Sequence, residues 1–123
     1  MHIRVRSKDF KLTPSIDGFA REQVHSALSR LDTDFIAVDV FLKDINGPRG
    51  GVDKQVLIRV RLPNRQVITV TATHESFYGA MGQSAKRIKR AVKRHIRKSR
   101  NFAKRRLADA LLERRLAMAT NLD

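Results

Sequence analysis

A chain of 123 residues with 41% hydrophobic content has the size and apolar material of one domain with a genuine core. Its 26 lysines and arginines face 12 acidic residues, and the formal net charge of +14 favours RNA, DNA or an anionic membrane surface as partner. The absence of cysteine excludes both a disulfide framework and a thiolate metal site.

Residues 1–10 alternate charged and apolar positions, unlike the unbroken apolar stretch of a signal peptide. No run approaches the roughly 18 apolar residues of a membrane span, so the cytoplasm is the expected compartment. Within that stretch His2-Ile3-Arg4-Val5-Arg6 has period two, which predicts a short strand burying Ile3 and Val5. Thr13-Pro14 is a helix-start signal: Thr13 can cap, and Pro14 suits a first helical position where its missing N–H is harmless. Ile16, Phe19, Ala20, Val24, Ala27, Leu28 and Leu31 then form a helical apolar stripe. Gly18 weakens that helix by up to about 1 kcal/mol without ending it.

Residues 36–44 predict a second strand, with Ile36, Val38, Val40 and Leu42 on one face. The breaker cluster Asn46-Gly47-Pro48-Arg49-Gly50-Gly51 predicts a loop. A third strand over 55–62 turns Val56, Ile58, Val60 and Leu62 inward. Pro63-Asn64-Arg65 makes a tight connection, and 66–72 return as a fourth strand. Each strand keeps one apolar face and one largely polar face, where Asp39, Lys43, Arg59 and Arg61 fall. Such a sheet is covered on one side only, so both helices share that side. The predicted fold is α+β: a two-layer sandwich of order β-α-β-β-β-α, with a four-stranded sheet and both helices on one face. The crossover through the first helix implies a parallel pair, and the last three strands form an antiparallel meander.

The last helix carries the functional signal. No acidic residue lies between Glu75 and Asp109, yet residues 86–106 hold twelve lysines and arginines. Phe77, Met81, Ser84, Ile88, Val92, His95 and Phe102 recur at three- or four-residue steps, the spacing of one helix face. At about 100° per residue, Lys86, Lys89, Arg90, Lys93, Arg94, Arg97 and Arg100 cluster on the opposite side, with Arg87 and Lys98 on its flanks. Like charges three and four residues apart destabilise a helix by a few tenths of a kcal/mol each. No acidic neighbour offsets them, and a bound polyanion explains the arrangement better than solubility does. Leu107, Leu111, Leu112 and Leu116 lie at a different angle. Residues 1–106 are therefore read as the binding domain, and 107–123 as a C-terminal extension, either a separate helical turn or disordered.

Arg21 and His25, on the outer side of the first helix, are further candidates for phosphate contact. His95 reads as a core-edge histidine and Tyr78 as a packed helix-start aromatic. With 6% aromatics and no Trp, stacking of bases on sheet aromatics fits poorly, and the aromatic signature of an RRM is absent. Recognition of backbone phosphates and RNA shape fits better. The polar sheet face, with Arg61, is expected to matter less than the last helix. Asp44 and Asp53 flank the Gly-rich loop, and His74-Glu75 precedes the last helix. Neither set has metal-ligand spacing, a nucleophile with its base, or a phosphate-binding loop, so no enzyme activity, cofactor, metal or small-molecule substrate is expected. Basic amphipathic helices also bind anionic lipids, but the apolar face here is needed to cover the sheet.

The order of elements and several motifs resemble the ribosome hibernation-promoting factor family, also called ribosome-associated inhibitors or sigma-54 modulation proteins. Members open the last helix with Tyr-x-Ala-Ile-Asp, followed by Lys-Leu and later Leu-x-Lys. Here the corresponding residues are Tyr78-Gly79-Ala80-Met81-Gly82, Arg87-Ile88 and Val92-Lys93-Arg94. Asp44, Asn46-Gly47, Gly51 and Asp53-Lys54 are similar to the pattern of short proteobacterial members. Gly82 and Ala91 depart from it, replacing an Asp or Asn and a frequent Gln. The resemblance covers residues 1 to about 100 and looks like the short form, without the separate dimerisation domain. It implies a cytoplasmic factor, monomeric when free, that binds rRNA of the small ribosomal subunit in the mRNA–tRNA channel. Such a factor would block translation in stationary phase or under stress. The alternative is a general RNA-binding or sigma-factor-modulating interaction protein without a ribosomal role.

Overall fold

The computed structural model describes residues 1–8, 10–31, 37–45 and 53–120. The loop expected at 46–51 lies outside the described residues, as does Ile36. The chain divides into two compact units, Met1–Val92 and Lys93–Asp123.

In the first unit, β1 (Ile3–Lys8), α1 (Pro14–Leu28), β2 (Ala37–Asp44), β3 (Lys54–Arg61) and β4 (Val67–His74) precede α2 (Phe77–Thr120), which begins there. The sheet order is β1-β2-β3-β4. β1 runs parallel to β2, and β3 and β4 follow antiparallel, as the crossover and the two short connections require. The predicted α+β sandwich is the fold observed.

Local chemistry sets the ends of these elements. Thr13, in extended conformation, accepts the Ile16 N–H on its hydroxyl at 3.2 Å, with Pro14 in the first turn of α1. Between β3 and β4, Pro63–Arg65 form a 3-10 turn closed by the Leu62 N–H donating to the Gln66 carbonyl at 2.8 Å. Arg65 takes the reversal at φ 64°, a conformation more often left to glycine. β4 runs two residues beyond its expected end, to His74.

Val5, Val38, Val40, Leu42, Val56, Ile58 and Val60 are buried on the inner sheet face. Ala20, Val24, Ala27 and Leu28 of α1 and Ala80, Met81, Ala85, Ile88 and Val92 of α2 cover them. Full burial of each Val, Leu, Ile or Met is worth about 1.5–3 kcal/mol, so this layer carries the fold. The one serine in it, Ser84, donates its hydroxyl to the Met81 carbonyl at 2.9 Å and leaves no unsatisfied group.

In the second unit α2 continues without a break to Thr120. That differs from the separate turn or disorder expected from residue 107. The change in stripe angle does not end a helix, because residues 107–119 contain neither Gly nor Pro and are rich in Leu, Ala and Arg. Phe102, Leu107, Leu111, Leu112, Leu116 and Met118 are all 52–71% exposed.

Candidate nucleic-acid interface

The start of α2 is fixed by a cluster of small contacts. Ser76 accepts the Tyr78 N–H on its hydroxyl at 3.2 Å, and its own N–H donates to Nδ1 of His74 at 3.1 Å. The imidazole lies so close to the helix that a Cβ added at Gly79 would fall on it. Phe77 stacks on Phe10 with centroids 4.4 Å apart, and Tyr78 meets Phe19 edge-on at 4.9 Å. The Tyr78 hydroxyl, on a residue 45% exposed, pairs with that of Ser15 at 3.0 Å. The tyrosine thus ties the two helix starts together, in keeping with its reading as a packed aromatic. These contacts hold the roll of α2, and the roll decides which side chains face solvent.

In the first unit Lys86, Arg87, Lys89 and Arg90 all emerge exposed. Lys86 and Lys89 line a groove of about 240 Å³ with Gln23, Ser26 and Ala27 of α1 and with Gly82 and Ala85 of α2. Gly82 opens onto empty space, with nothing within 4 Å of where a Cβ would stand. Arg87 is turned to the sheet and donates to the Thr71 carbonyl at 2.6 Å. Arg21 is engaged in the same way on the other side: it pairs with Asp17 at 3.1 Å and donates to the Ile3 carbonyl at 2.8 Å. β1 and β4 are the two edge strands, so each helix covers one sheet edge with an arginine. Sequence periodicity missed this second role, because nothing in local spacing reports which carbonyls an edge leaves open. His25 is exposed on α1.

In the second unit Lys93, Arg94, Arg97, Lys98 and Arg100 are exposed, as are Lys104, Arg105 and Arg106. His95 and Ile96 are the only half-buried residues among the described ones of that unit. The Arg106 guanidinium lies 5.7 Å from the Phe102 ring centroid.

Asp53, which flanks the Gly-rich loop, is 1% exposed and bonded. Lys54 donates to Asp44 at 2.7 Å and to Asp53 at 3.3 Å, and the Asp53 carbonyl accepts the Ile45 N–H at 2.7 Å. The hydrogen bond to Asp44, reinforced by Asp53 and opposed by desolvation, holds the Lys54 ammonium above its ordinary pKa. This trio is a structural clasp between β2 and β3.

Among the described residues no group of His, Cys, Asp or Glu could hold a metal ion, and no helix is long and apolar enough to cross a membrane. Residues 3–100 match the sigma 54 modulation protein / S30EA ribosomal protein family. The chain belongs to this family. Two solved structures share the family's fold. The Thermus thermophilus Protein Y N-terminal domain superposes with a TM-score of 0.64 at 20% identity, over 77% of this chain and 99% of that one. A ribosomal subunit interface protein from Coxiella burnetii gives 0.66 at 17% identity, over 77% and 97%. Among curated proteins, no sequence matches this chain. Gly82 leaves open space beside Lys86, at the groove between the helices.

Proposed function

We propose that this protein binds the small ribosomal subunit through rRNA, occupies the mRNA–tRNA channel and holds the ribosome translationally idle. The observation that carries the reading is α2, where residues 76–108 contain no carboxylate and Lys86, Lys89, Arg90, Lys93, Arg94, Arg97, Lys98 and Arg100 are all exposed. Membership of a family described by a ribosomal protein, and likeness to a ribosomal subunit interface protein, support the ribosome as the source of the polyanion. Phosphate contacts from Lys and Arg supply affinity with little sequence information, which suits a channel of fixed shape. His25 adds a contact from α1. Arg21 and Arg87 contribute less than their charge suggests, being already bonded to backbone carbonyls. The mechanism needs no turnover: the bound domain excludes mRNA and tRNA, and the factor acts outside the cell's catalytic repertoire as a cytoplasmic stress or stationary-phase protein.

The test is co-sedimentation with small subunits. Lys86→Glu with Arg90→Glu, and separately Arg94→Glu with Arg97→Glu, should each weaken association strongly, and all four together should abolish it with cooperative melting retained. Unchanged co-sedimentation of the fourfold variant would refute the reading. No association of the wild type with small subunits, together with binding to sigma-factor complexes, would favour an interaction protein instead.

A further inference from the structure

A second concentration of charge lies on the sheet face that the helices leave bare. Strand alternation sends Arg4, Arg6 and Lys8 of β1, Lys43 of β2 and Arg59 and Arg61 of β3 to that side, and all six are exposed. One carboxylate opposes them on these strands, Asp39, and its contact with Arg61 is 4.0 Å long. The register sets Lys8 directly beside Lys43, and like charges placed opposite one another destabilise a sheet. At the centre stands Phe41, half-buried, with Leu57 as its cross-strand partner on one side. On the other side is Arg6, its guanidinium 5.4 Å from the ring centroid. The exposed threonines Thr69, Thr71 and Thr73 of β4 add hydroxyls along the far edge.

We propose that this face is a second nucleic-acid site, taking a single-stranded RNA segment whose bases lie on Phe41 and whose phosphates meet the surrounding cations. The inference goes beyond the ribosome reading and does not depend on it. A sheet face with an aromatic at its centre and arginines around it offers stacking to any unpaired base, with cation–π support from Arg6. Alternate residues along a strand repeat at about 6.6 Å, so Arg4, Arg6 and Lys8 form a ladder along an extended backbone. A duplex keeps its bases inside and cannot present them to Phe41. A lipid surface would need an apolar group standing proud of the charges, whereas Phe41 sits half-buried among longer side chains. The low aromatic content that argued against stacking from sequence does not bear on one ring in the right place.

The experiment is fluorescence anisotropy with the full chain, using a labelled oligouridine of about twelve nucleotides and an RNA duplex of equal length. Phe41→Leu keeps charge and apolar bulk but removes the stacking face. It should weaken single-strand binding about five- to tenfold, while Phe41→Tyr holds it within about twofold and duplex affinity stays unchanged for both. Arg59→Gln with Arg61→Gln, on exposed side chains that leave folding intact, should lower the single-strand salt slope by about one per cation removed. Wild-type single-strand affinity in Phe41→Leu, or an equal loss on single strand and duplex, would overturn the proposal. So would loss confined to phosphatidylglycerol vesicles, which would make the face a lipid contact.

Discussion

Two glycines in the opening turns of α2 behave oppositely, because one is crowded and the other is not. Gly79 admits the His74 imidazole against α2, so Gly79→Ala must displace a ring that accepts the Ser76 N–H. It should destabilise the protein by about 1–3 kcal/mol in urea melts. Gly82 faces open space, and Gly82→Ala should stabilise by about 0.5–1 kcal/mol through helix propensity alone. Lys54 gives a pH signature. Its pKa is raised by Asp44 and Asp53, so its contribution is complete below the ordinary 10.5 and is lost as pH rises through the higher folded value. The stability gap between wild type and Lys54→Met should therefore stay constant from neutral pH to about pH 10 and close above 10.5. These residue roles were the least legible in the sequence. Gly79, His74 and the Lys54 clasp depend on contacts that local spacing does not encode, whereas Thr13 and Pro14 announced themselves because a cap is a local device.

Elements were far more legible, since each one here has a clean period. Alternation in β1 to β4 and the i, i+3, i+4 stripe from Phe77 to Val92 indicated strand faces and helix roll. The inner face is buried as expected from Val5 through Val60, whereas Ile3, expected to be buried, is half-buried at the sheet edge. Ile88 sits at the centre of that stripe, fully buried, and Ile88→Ala should cost about 2–5 kcal/mol. Leu111, 52% exposed in the second unit, should change stability by no more than about 0.5 kcal/mol when cut to Ala. Paired denaturant titrations check both. The end of α2 was less legible: the apolar stripe shifts register after residue 106, which points to a separate turn or disorder. Yet α2 runs on to Thr120, and residues 107–119 contain neither Gly nor Pro. The cationic candidates were legible as exposed charge. That Arg87 and Arg21 also serve the sheet was not, because the partner carbonyls lie sixteen and eighteen residues away.

For the whole molecule, the net charge of +14 makes affinity a property of the solution as much as of the protein. If about six phosphates are neutralised, log affinity for the small subunit against log salt should fall with a slope of about −4 to −5. A slope near zero would point to a protein partner. Inhibition by occupancy has its own stoichiometry. In cell-free translation it should saturate near about one protein per ribosome and weaken when mRNA and initiator tRNA are added first. Full inhibition far below that ratio would mean turnover.

The arginine that each helix lays on its neighbouring edge strand has a consequence for self-association. An open strand edge is a template on which another chain can pair, and Ile3 and Thr71 offer their carbonyls on the two edges of this sheet. Arg87→Ala exposes the Thr71 carbonyl and removes a charge that would repel an approaching copy. Its first symptom should be concentration-dependent oligomers enriched in intermolecular strand pairing, before any loss of RNA affinity is measurable. Light scattering at several concentrations would separate that outcome from a simple binding defect, and the same charge that draws in a polyanion would thereby be keeping copies of the protein apart.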